Sequence, residues 1–185
     1  MVEMATEEVA DPQGFGARRV EAETEAGSGL GAGAGAEGGG LPGAVRLPDG
    51  SWVRGRGLRR PAPAGEVPDH GLYLGTGRMR RRYEQTLTWP HAWVDWPDFL
   101  LPRDREQAVS RLRELHELAR AGKKVEVACG GGVGRTGTAI ACLAVLAGVP
   151  NAEAVAWARA NYHPRAVETP WQRRWVLRFP GAQRR

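Results

Sequence analysis

The chain has 185 residues, 42% of them apolar, and a net charge of +5. That length suits one packed domain plus a tail, and two cysteines, Cys129 and Cys142, are too few for a disulfide-built scaffold. The longest apolar stretch, residues 139–149, is too short to cross a bilayer.

Residues 1–42 are dominated by Glu, Ala and Gly and cannot bury enough apolar surface to offset their ordering entropy. They are predicted to form a disordered tail, with a folded domain over residues 43–185. Up to Gly40 there are eight acids and two bases, a charge of −6; a total of +5 leaves +11 for the rest. A basic domain behind an acidic tail suits an anionic ligand: a phosphorylated substrate, nucleic acid or a membrane surface. A solvated Arg-rich surface would carry the same charge. No basic segment followed by an apolar one stands near Met1, so no signal peptide is expected. The expectation is a cytoplasmic protein without a membrane partner. His70, His91, His116 and His163 are scattered and neither cysteine has a close partner, so no metal or other cofactor is expected.

In chain order, residues 45–53 read as a hairpin around Pro48-Asp49-Gly50. A Pro-rich linker runs through Pro68, residues 71–75 form a short buried strand, and a basic run covers 78–82. Residues 86–94 contain another short strand. Trp96-Pro97-Asp98-Phe99 is a loop, because Pro97 removes a donor and restricts its neighbour. Asp104 opens a helix with Gln107 completing a capping box; Ala108, Leu112, Leu115 and Ala119 mark its core face, and Gly122 ends it. Residues 124–128 are a strand, 130–134 a tight glycine loop, and 135–147 an apolar helix stopped by Gly148 and Pro150. Asn151 is expected to cap a helix running to about Tyr162. Thr169, Pro170 and Gln172 open the last helix with a second capping box. Strands alternating with helices predict an α/β fold, with a central mainly parallel sheet flanked by helices.

The chemistry concentrates in residues 127–138, where a strand enters a glycine loop and then a helix. Helix N-terminal N–H groups and inward-turned loop amides form an anion site. Three chemistries share that geometry. Gly132-x-Gly134-x-x-Gly137 matches a dinucleotide fingerprint, but the stretch about twenty residues on, 151–158, reads as helix where a strand ending in an acid is needed. A nucleotide P-loop would need a Gly at Cys129 and a Lys at Arg135. The third is nucleophilic. Cys129, five residues, Arg135 and Thr136 place a thiol between a strand end and a helix N-terminus, where the thiolate is favoured. Arg135 can hold two phosphate oxygens. The backbone of Gly130, Gly131, Gly132, Val133 and Gly134 can cradle the group. Thr136 can donate a hydrogen bond to the thiolate.

Trp96-Pro97-Asp98-Phe99 resembles the acid loop of protein tyrosine phosphatases, and residues 129–138 resemble their C-x5-R signature loop. Leu72-Tyr73-Leu74-Gly75 is similar to a strand of the dual-specificity branch. Val167-Glu168-Thr169-Pro170-Trp171-Gln172 resembles the late segment whose glutamine positions the hydrolytic water. The resemblance spans about residues 70–178. It implies a phosphatase fold, Cys129 as nucleophile, Arg135 as phosphate clamp, and Asp98 as general acid and then general base. Asp95 is the rival acid, and for Gln172 the capping box is the alternative to catalysis. The implied reaction is hydrolysis of a phosphorylated protein or other phosphomonoester through a cysteinyl-phosphate; the other possibility is a weak or inactive phosphate-binding module. The family usually carries His before the cysteine, where this chain has Ala128. A nucleic-acid partner is not expected, because no stretch interleaves aromatic with basic residues.

Overall fold

The computed structural model describes residues 40–181; the expected tail before Gly40 lies outside them. Leu41 is buried at 3% exposure, so the packed part reaches at least two residues ahead of the boundary expected at 43.

Five strands form one sheet in the order β1-β2-β5-β3-β4. They are β1 (Ala44–Arg46), β2 (Trp52–Gly57), β3 (His70–Gly75), β4 (His91–Asp95) and β5 (Val125–Cys129). The expected hairpin is the antiparallel β1–β2 pair, with Val45 opposite Val53. Every other pairing is parallel, as the strand–helix alternation predicted. Strand side chains alternate between the two faces, and each face has its own core. Leu72, Leu74, Val94, Val125 and Val127 face the larger one. Tyr73 and Ala128 face a smaller one with Leu58 and Leu87.

Helices α1 (Gly77–Tyr83), α2 (Arg105–Arg120), α3 (Gly134–Leu146), α4 (Ala154–Asn161) and α5 (Pro170–Leu177) follow. The basic run at 78–82 falls in α1, whose Met79 and Tyr83 edge the smaller core. Helix α2 buries Ala108, Leu112, Leu115 and Ala119, the stripe its spacing predicted. All thirteen residues of α3 are buried, because it packs on β2 and β5 with α2, α4 and α5 around it. Its apolar run is therefore a core helix. No helix among the described residues is long and apolar enough to cross a membrane.

Two expected caps differ. Asp104 accepts from Gln107 N at 2.9 Å, but the reciprocal half of that box is not formed. Asn151 does not cap α4, whose N-cap is Glu153. Its Nδ2 instead donates to Val176 O and Phe179 O, both at 2.9 Å, which satisfies carbonyls at the end of α5.

A charged cluster lies under the smaller core. Glu126 is fully buried and accepts from Arg54 Nη2 at 2.6 Å, Arg56 Nε at 2.9 Å and Tyr73 Oη at 3.0 Å. A buried carboxylate survives only when paired this completely. Burial first, then the Glu126 charge, raises the Tyr73 hydroxyl far above its usual range, so it stays a donor.

Candidate active site

Strand β5 ends at Cys129, where the chain turns through the glycine loop into α3. The loop is fastened to β2 and the segment after it: Leu58 N donates to Cys129 O at 2.8 Å and Arg59 N to Gly130 O at 3.1 Å. Gly132 has φ +78, and a Cβ there would sit 2.6 Å from Gly57 N. Glycine is needed at that position for both reasons. The Tyr162 hydroxyl donates to Gly132 O and closes the loop from the side of α4. Burial, reinforced by Cys129, pushes the Tyr162 hydroxyl well above its usual range, which keeps it a donor.

The thiol of Cys129 is free, 2% exposed, and accepts from Gly132 N at 3.2 Å. The hydrogen bond expected from Thr136 is not made: Thr136 Oγ1 is buried without a partner. Val133, the N-cap of α3, supplies no side-chain acceptor to the first-turn amides. Those amides remain available to an anion.

Arg135 is 2% exposed and each of its nitrogens has a distinct position. Nη1 donates to Leu74 O at 3.2 Å and Trp96 O at 2.9 Å, which locks the guanidinium between β3 and the acid loop. Nη2 meets Asp98 Oδ1 at 2.9 Å. Nε is buried with no partner, and a buried unpaired donor beside an open anion cradle suits an incoming phosphate oxygen. The expected Asp98 is thus brought to Arg135. Its rival Asp95 points elsewhere, pairing with Arg103 Nε at 3.3 Å on the exposed side.

The acid loop is held from α5. Trp96 is fully buried, donates from Nε1 to Leu100 O at 2.7 Å, and stands edge-on to Trp175 with ring centroids 5.1 Å apart. Trp171 Nε1 donates to Phe99 O. Gln172 differs from its expected catalytic place. It is fully buried, its Oε1 accepts from Glu168 N at 3.0 Å and Thr169 N at 3.3 Å, and its Nε2 reaches Leu100 O at 3.4 Å. The amide is occupied by the capping box and the acid loop. Ala128, where the family's histidine would stand, packs beside Tyr73 in the smaller core. Arg165 is exposed and makes no ion pair among the described residues. Sequence reading missed Tyr162, Gly57 and the carbonyls of Leu74 and Trp96; none has a local pattern that would mark it.

Two surface hollows, of about 660 Å³ beside Arg113 and Pro180 and about 540 Å³ beside Asp49 and Lys123, include no residue of the loop. Among the described residues no cluster of His, Cys, Asp and Glu could hold a metal.

A family model described as the Swiss Army Knife protein, DSP-PTPase phosphatase domain, matches residues 101–175, which include the whole cysteine loop. The active form of Tk-PTP is 28% identical over 75% of this chain and 95% of that one, with a TM-score of 0.56. Residues 101–175 thus match a phosphatase domain of the protein tyrosine phosphatase kind, similar to the compact dual-specificity type, and the protein is a cysteine-dependent phosphatase. A glycine-to-alanine mutant form of Tk-PTP is also 28% identical, covering 60% of this phosphatase and 75% of that chain with a TM-score of 0.50. Kinase associated phosphatase, with its catalytic-site cysteine substituted by serine, shares the fold: 15% identity, 74% and 92% coverage, TM-score 0.55. No curated protein matches the sequence.

Proposed function

We propose that this phosphatase works through Cys129, Arg135 and Asp98 on the phosphorylated side chain of a protein or another phosphomonoester. The observation that carries the reading is the guanidinium of Arg135, buried beside the loop with Nε unpartnered and Nη2 on Asp98. In the first step the Cys129 thiolate attacks phosphorus, and the P–O bond to the leaving group breaks. Asp98 gives its proton to that oxygen. The loop amides from Gly130 to Arg135, with Arg135 Nε, carry the charge of the transferring group. In the second step water displaces the thiolate and releases inorganic phosphate.

An apolar rim supports a side-chain phosphoester as substrate. Phe99 and Leu100, which follow Asp98, and Trp171, whose Nε1 donates to Phe99 O, are 56%, 52% and 46% exposed, and an aryl or alkyl leaving group can bury surface against them. Nucleic acid and membrane have no part in the reading. Free, buried thiols at Cys129 and Cys142 suit a reducing compartment such as the cytoplasm.

The test is hydrolysis of p-nitrophenyl phosphate with a chelator present, followed by phosphotyrosyl and phosphothreonyl peptides. Turnover abolished by Cys129→Ser supports the reading, and a wild-type phosphoenzyme trapped at Cys129 supports it further. A folded wild type inert from pH 5 to 8, or turnover that survives Cys129→Ser, rejects it.

A further inference from the structure

The reaction has two proton transfers, and two carboxylates lie against the loop and its arginine. Asp98 is already bound to Arg135 Nη2. The second is Glu168. A methyl group on Gly134 would overlap Glu168 Oε2, so the carboxylate lies directly against Gly134. Gly134 is both the last residue of the glycine loop and the first of α3.

This placement is built from several elements. Ala166 and Val167 lie against the first turn of α3, where a Cβ on Gly137 would be 2.6 Å from Ala166 Cβ and 3.3 Å from Val167 N. Arg159 clamps the carbonyls of both, from Nε at 3.0 Å and Nη2 at 3.1 Å. Val167 has φ +62, a strained conformation for a β-branched residue. Glu168 N is held by Gln172 Oε1 at 3.0 Å. Backbone strain over-determined in this way gathers at working sites. Phe99, which follows Asp98, is the other non-glycine residue with positive φ among those described, at +57. Both acids therefore sit next to a strained residue. Among the described residues the Glu168 carboxylate has no ion pair and accepts no hydrogen bond, although its backbone is so firmly held.

We propose that Glu168 serves the hydrolysis step, holding the attacking water and taking its proton. The inference rests on the cysteinyl-phosphate reading above. As the water oxygen bonds to phosphorus, its proton passes to the Glu168 carboxylate. The P–S bond breaks with its electron pair returning to Cys129 as thiolate. The released phosphate carries the new P–O bond. After phosphate leaves, Glu168 gives its proton to solvent and Asp98, left as a carboxylate after the first step, takes one back, which restores the starting state. Gln172, which the sequence places in this role, acts through Glu168 by holding its backbone.

The full chain, as wild type, Glu168→Gln, Glu168→Ala and Glu168→Asp, is mixed rapidly with p-nitrophenyl phosphate and quenched. For the Gln and Ala variants the expected result is an unchanged burst of about one p-nitrophenolate per enzyme. Steady-state turnover then falls about 100-fold or more, with phosphocysteine accumulating, and Glu168→Asp recovers part of the loss. Steady-state turnover within threefold of wild type overturns the inference. So does a burst rate that falls in step with turnover, because Glu168 would then act on binding or on the first step. Because Glu168 is exposed, the variants are expected to unfold with the wild type. Failure of the wild type itself to form a Cys129 phosphoenzyme would reject the underlying reading instead.

Discussion

Replacing Asp98 with Asn separates proton donation from everything else that Asp98 does. The amide keeps an oxygen that can accept from Arg135 Nη2, now at 2.9 Å. Asp98 is 47% exposed, so weakening that ion pair costs at most about 1 kcal/mol. That corresponds to roughly 2–4 °C in Tm for a chain of this size. Loss of the proton has a larger effect: general-acid catalysis contributes ~10²–10⁴-fold, or about 3–5 kcal/mol of barrier. The assay is kcat/KM, which reports the first step, over a series of aryl phosphates with leaving phenols of graded acidity. Asp98→Asn should lose most with phenyl phosphate and least with the most acidic phenols, whose oxyanions leave without a proton. A loss equal across the series would refute the reasoning, because Asp98 would then be acting on loop position or binding. An unchanged kcat/KM would refute it too.

Gly132→Ala forces a methyl into the left-handed region at a strain of about 1–2 kcal/mol and pushes it to 2.6 Å from Gly57 N. With the amide to Cys129 Sγ displaced, kcat/KM should fall about 100-fold; near-wild-type kinetics would show that the loop tolerates a different path. Tyr162→Phe leaves Gly132 O without its buried donor and should lower stability by about 1–3 kcal/mol in urea titration, an unchanged midpoint being the contrary result. Gln172→Ala removes the α5 capping box and should lower stability by about 1 kcal/mol, seen as a lower Tm; an unchanged Tm would deny the box its structural role. Burial holds the His70 and His116 rings below their ordinary 6.5, against the opposing pull of Glu114 on His70 and of Asp49, 2.8 Å from His116. The unfolded chain then binds more protons than the folded one as pH drops. Stability should be fully present above pH 6.5 and decline as pH falls through the folded values, and a Tm that rises between pH 7 and 5 would contradict this.

Local patterns determined most of the framework. The Pro48-Asp49-Gly50 turn, the stripe from Ala108 to Ala119, the strand before Cys129 and the cap at Thr169 each depend on residues within a few positions of one another. Backbone propensity and side-chain period act at that range. The same holds for Cys129 and Arg135, whose spacing around one strand-to-helix turn forces them to one loop. Tertiary packing decided what local signals left open. Asp95 ends strand β4 and Asp98 lies in the turn three residues on; the loop resemblance favoured Asp98, and the ion pair with Arg135 is what the packing added. Asn151 has the composition of a helix cap, yet the end of α5 offered it two unsatisfied carbonyls. Gln172 and Glu168 share one short segment, and the sequence favoured the glutamine. Its amide is consumed by the capping box and Leu100 O, and the left-handed turn at Val167 sends the carboxylate of Glu168 to Gly134 instead. Hydrogen-bond satisfaction in a packed interior is settled by neighbours distant in sequence. For that reason the loop and Asp98 could be read from the chain alone, whereas the hydrogen-bond partners arranged around them could not.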